Sequence, residues 1–77
     1  GGSYARLAEL GFGPDRFTER IAARAPLPDE RTALSLPGRG ALVFEVTRLA
    51  YAADRCVEVN LMILDSAVYS LEYHFPS

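Results

Sequence analysis

Cysteine and histidine each occur once in the 77 residues, as Cys56 and His74. An intrachain disulfide is therefore excluded. One His and one Cys are also too few for a structural zinc site, and no metal or cofactor is expected. Long apolar runs are missing too: none approaches the roughly 20 residues that a membrane span requires, so no membrane partner is expected. No signal-peptide pattern is present, and the lone thiol fits a reducing compartment, which predicts a cytoplasmic location. Excess positive charge is absent as well. A net charge of −2 and a pI near 5.2 argue against this segment being a nucleic-acid-binding surface, which needs a basic patch.

What is present is the composition of a soluble globular protein, 49% hydrophobic and 23% charged. A folded chain of this size buries only roughly 60% of the surface its unfolded form exposes, so its stability is marginal without help. With disulfides and metals excluded, association with a second chain is the remaining route to a larger core. The chain begins at Gly1 rather than Met, the expectation for a fragment or a trimmed form of a longer protein.

Along the chain, Ser3 followed by YARLAEL predicts a short helix: Ser3 can cap it, Tyr4, Leu7 and Ala8 share a stripe, and Gly11 is a suitable stop. GFGPD is a loop. Residues 17–25 alternate, with Phe17, Ile21, Ala23 and Ala25 on one side and Thr18, Arg20 and Arg24 on the other. That is a half-buried strand whose apolar side is broken by Glu19. PLPDERTALSL is a second helix with Pro28 at its first position and Asp29 and Glu30 at the positive end of the dipole. Leu27 falls at the N-cap and cannot accept the capping bond. PGRG ends that helix. Residues 41–51 and 56–64 predict a hairpin across AADR. DSAVY is a short turn or a helical turn, and residues 69–75 predict a last strand with Tyr69, Leu71, Tyr73 and Phe75 on one face. The predicted class is α+β, an antiparallel sheet with two short helices in the order α-β-α-β-β-β.

Few residues suggest chemistry. His74 reads as solvent-facing or packing, Cys56 as a small hydrophobe, and GFG and PGRG as plain turns without the context of a phosphate loop. Glu19, Asp29 and Glu30 read as solvated surface. The hairpin is different, because Arg48, Glu58 and Asn60 interrupt apolar strands. If Tyr51 pairs with Cys56 and the register then runs on unbroken, Arg48 faces Val59 beside Phe44, Val46, Leu61 and Ile63. Glu45, Thr47, Glu58 and Asn60 then collect on the other face. A slip of one residue puts Arg48, Glu58 and Asn60 together instead. The bland alternative is that the polar face is simply wet. A guanidinium in an apolar setting needs an anionic partner, either a ligand or one of Glu19, Glu45 and Glu58.

YARLAELG, ERIAARAPLPDERTALSLPGRGALVFEVTRLAYAADRCVEVN and the terminal DSAVYSLEYHFP resemble, nearly end to end, the second half of the UTRA effector-binding domain. In GntR-type regulators of the HutC subfamily that domain follows a winged-helix DNA-binding domain. The resemblance implies a chorismate-lyase-like α+β fold of two similar halves, of which residues 1–77 would be the C-terminal part. It implies a small-molecule effector, a homodimer, and contact with DNA only through an N-terminal domain outside this chain. Tyr4 matches the Tyr of a Ser-x-Tyr helix-start motif that reaches the ligand, although the partner Ser falls at Gly2. Arg48 matches the Arg of the hairpin strand and Glu58 the acidic residue after the turn, with Asn60 beside it. Phosphate-binding members carry a second Arg where this chain has Ala50, which speaks against a phosphorylated ligand. The expected ligand-binding set is thus Tyr4, Arg48, Glu58 and Asn60, with no catalytic residues. Two other functions compete: a dimerisation module that has lost its effector, and an enzyme of the chorismate-lyase type sharing the fold.

Overall fold

The computed structural model describes residues 9–11 and 13–77. Their elements are β1 (Arg16–Arg24), α1 (Pro28–Ala33), β2 (Val43–Ala52) and β3 (Arg55–Asp65). The three strands form one antiparallel sheet in the order β1-β2-β3, with β2 in the middle. The sheet and helix fit the predicted α+β class. The predicted first helix, and Tyr4 with it, lies outside the described residues except at its end, where Gly11 has the left-handed φ of 82° expected of a helix stop.

β1 ends where Pro26 removes a ladder donor, and Pro28 then opens α1. Leu27 is indeed the N-cap and offers no side-chain acceptor, but Glu30 compensates by accepting from the Leu27 N–H at 2.9 Å. The helix is shorter than predicted because Ser35 turns it back. Ser35 sits at φ 53°, with its N–H on the Thr32 carbonyl and the Leu36 N–H on the Arg31 carbonyl. This is a Schellman closure with serine where glycine is usual. Arg31 then fastens the following loop through the Gly38 carbonyl at 2.7 Å.

The hairpin turns at Ala53 and Asp54, and Asp15 holds that turn. The Asp15 N–H donates to the Tyr51 carbonyl (2.8 Å) and its Oδ2 accepts from the Ala53 N–H (3.2 Å). Arg16, over the Tyr51 ring at 4.1 Å, closes the same corner.

Two expectations are corrected. First, the hairpin register does not run on unbroken. Tyr51 pairs with Cys56, but Ala50 pairs with Glu58, leaving Val57 as the extra residue of a bulge. Beyond it Arg48 faces Asn60 rather than Val59, and Phe44 and Val46 no longer share a face with Leu61 and Ile63. Second, residues 69–75 form no strand. Asp65 ends β3 in an Asx turn, its Oδ1 accepting from the Ala67 N–H at 2.9 Å, and the chain then runs across the sheet instead of along its edge.

Strand alternation gives the sheet two faces. The helix face carries Thr18, Arg20, Arg24, Val43, Glu45, Thr47, Leu49, Val59, Leu61 and Ile63, and α1 packs on it. The strap face carries Phe17, Glu19, Ile21, Phe44, Val46, Arg48, Ala50, Glu58 and Asn60. Residues 66–77, the strap, reach across to it. Among the described residues the buried apolar core is Leu36, Val43, Val46 and Ala50, so β2 supplies most of it from both sides.

Candidate functional site

The bulge at Val57 decides where the polar groups of the hairpin go. Past it, Arg48 lies in one row with Glu19 on β1 and Asn60 on β3, and the next row holds Phe17, Ala50 and Glu58. The expected Arg48, Glu58 and Asn60 therefore share the strap face, as the slipped register requires. Asn60 is exposed and Glu58 half-buried.

Arg48 has an internal anionic partner. Its Nε donates to Glu19 Oε2 at 2.8 Å, and Nη2 lies 2.8 Å from the same oxygen. The other oxygen, Glu19 Oε1, accepts from the Tyr73 hydroxyl of the strap. The Tyr73 hydrogen bond, and then the Arg48 guanidinium, hold the Glu19 carboxyl below its ordinary pKa. The same bond to Glu19 raises the Tyr73 phenol. Glu19 was expected to be solvated surface. It is instead the best-covered member of the cluster, with a side chain 17% exposed against 40% for Arg48. The signal for it was in the sequence: Glu19 and Arg48 are the charged interruptions of the apolar alternation in two strands that prove adjacent. Tyr73 carried no comparable signal, because its stripe predicted a strand.

A second charged cluster lies on the helix face. Arg24 donates through Nη1 and Nη2 to the two oxygens of Glu30, at 2.7 and 2.8 Å, and through Nε to Glu45 Oε2 at 2.9 Å. Glu30, also expected to be solvated, is drawn down to a pKa of about 2 by Arg24 first and the Leu27 N–H second. Arg24 is raised in turn. This bidentate pairing anchors α1 to the sheet.

Two concavities open mainly toward the helix face. One of about 340 Å³ lies between α1 and the sheet, lined by Asp29, Glu30, Ala33, Leu34 and Ile63. Another of about 270 Å³ is lined by Thr18, Glu19, Arg20, Thr47 and Leu49. Neither is lined by Arg48, Glu58 or Asn60. Among the described residues no cluster of His, Cys, Asp and Glu could hold a metal ion, and no helix is long and apolar enough to cross a membrane. Cys56 is exposed, where a buried hydrophobe was expected.

Comparison with known proteins gives one match. Residues 1–70 match the family model of the UTRA domain. No curated protein and no solved structure matches the chain.

Proposed function

On the premise that this chain belongs to the UTRA domain family, a regulatory family of transcription regulators, we propose that it is the effector-sensing and dimerising part of a GntR regulator of the HutC type. In this reading it is the C-terminal part of a chorismate-lyase-like domain in the cytoplasm, and DNA is bound by a separate winged-helix domain. The observation that carries the effector role is the strap face itself. A guanidinium stands there in the central strand with a carboxylate on one side and an amide on the other, flanked by apolar groups. Few convergent polar groups on an apolar wall are the usual make-up of a small-molecule site. Arg48 with Glu58 and Asn60, joined by Tyr4, would hold a small metabolite, with Arg48 as the partner of its anionic group.

Dimerisation is supported by what the single chain leaves uncovered. Val59 and Leu61, on the outer strand β3, are 64% and 59% exposed. The radius of gyration is 15.6 Å, against about 11–12 Å for a compact domain of this length. A second copy placed by a two-fold axis would cover such a surface with the same patch on both chains.

One observation favours a second reading, a dimerisation module without an effector: Arg48 is already paired, and it lines neither of the two concavities. Thermal shift against a panel of small carboxylates, repeated with Arg48→Ala, separates the two. A shift that the substitution removes supports effector binding. A dimer in sedimentation that no metabolite stabilises supports the second reading.

A further inference from the structure

Glu19 occupies Arg48 in the way a ligand carboxylate would, and its second oxygen is the one that holds the strap. Among the described residues, the hydrogen bond from Tyr73 to Glu19 ties the strap to the face of the sheet, whereas Asp65 Oδ1, accepting from the Ala67 N–H, turns the chain at the end of β3. Beyond Tyr73 the chain is loosely held: Phe75 stacks on Tyr73 with centroids 6.4 Å apart yet is 84% exposed. His74 pairs with Glu72 of its own segment. One carboxylate therefore serves two tasks, as counter-ion of Arg48 and as anchor of the strap.

We infer that Glu19 is a built-in competitor for Arg48, which a small carboxylate ligand displaces, and that its displacement releases Tyr73 and the strap from the sheet. This rests on the reading of Arg48 as a ligand-binding residue and supplies what that reading lacks, a route from ligand to conformation. The ligand class follows from the site. A single guanidinium with no second cation beside it in the ladder matches one carboxylate, which it can take in two parallel hydrogen bonds. The competition is mild enough to be overcome. Partly exposed ion pairs are weak, so removing Glu19 from the contest should tighten carboxylate binding by about 2- to 5-fold. The coupling is reciprocal: whatever loosens the strap also makes Arg48 easier to reach.

The test uses benzoate as probe, a carboxylate with an apolar body, at ionic strength held constant with chloride. Amide exchange of residues 66–77 is followed in the wild type, Glu19→Gln, Tyr73→Phe and Arg48→Ala. Benzoate is expected to raise exchange across residues 66–77 in the wild type. Glu19→Gln should show raised exchange without benzoate and bind it about 2- to 5-fold more tightly. Tyr73→Phe, a mild change at the surface, should loosen the strap without weakening benzoate binding. Unchanged strap exchange in both Glu19→Gln and Tyr73→Phe would overturn the inference, as would weaker binding by a folded Glu19→Gln. Benzoate binding that persists undiminished in Arg48→Ala would instead remove the underlying reading of Arg48. Binding lost in Arg48→Ala but indifferent to Glu19→Gln would remove this inference alone.

Discussion

The two faces of the sheet each carry an arginine in contact with glutamate, and the two clusters are built to different ends. On the helix face Arg24 meets two carboxylates, taking Glu30 through both oxygens, and Glu30 is only six residues away in a helix that needs anchoring. On the strap face Arg48 meets the Glu19 carboxylate through one oxygen, and the other oxygen is taken by a phenol from a segment lacking secondary structure. A cation engaged by two carboxylates, one of them held through both oxygens, resists exchange, whereas one that shares its partner is open to a competitor. The same residue pair thus serves as a rivet in one place and as an exchangeable contact in the other.

The largest effect that sharpens this comparison comes from the apolar layer beneath each cluster. Val43, on the helix face, and Val46, on the strap face, are both fully buried. Truncation of either to Ala is expected to cost about 2 kcal/mol, measured by denaturant unfolding. In a chain with so small a core either loss should be conspicuous. If Val46→Ala were near neutral, the strap would not be covering its face.

Next come the arginines. Arg24→Ala leaves two carboxylates facing each other and unpins α1, so it should lower the melting temperature more than Arg48→Ala. Equal effects would erase the distinction between the clusters. Acid resolves the same point. The folded pKa of Glu30 is depressed to about 2 from an ordinary 4.5, so its contribution is complete above the unfolded value and is lost as pH falls from about 4.5 toward 2. Melting temperature followed from pH 6 to pH 2 should decline through that window in the wild type, and the decline should be shallower in Glu30→Gln.

The smallest effect is at the end of α1. Ser35 holds a left-handed φ of 53°. Ser35→Gly should relieve that strain, partly offset by the greater freedom of glycine in the unfolded chain, for a net gain of about 0.5 kcal/mol. A loss would mean that the serine side chain supports the turn in some other way.

Much of the architecture could be read directly. β1 was placed within one residue at each end because Phe17, Ile21 and Ala23 alternate, and the hairpin turn fell inside AADR. The helix start was legible from Pro28 and the acidic pair after it, whereas its end was not, since Ser35 does not announce a left-handed turn. The candidate site was legible in part. Arg48, Glu58 and Asn60 stood out as polar residues in apolar strands, but the partner of Arg48 did not, because Glu19 is 29 positions away and meets it only once β1 lies beside β2.

The sequence by itself determined the elements whose signals are local: the period-2 strands, the proline-opened helix, the turn residues, and the exclusion of an intrachain disulfide. Tertiary structure decided what depends on distant pairing. One extra residue at Val57 shifted the register, and because side chains alternate with period two, that single shift exchanged the faces of β3 relative to β2 beyond the bulge. Residues 69–75 alternate as a strand should, yet they form no ladder. A strand requires a partner edge, whereas Tyr73 had a carboxylate across the sheet to bind.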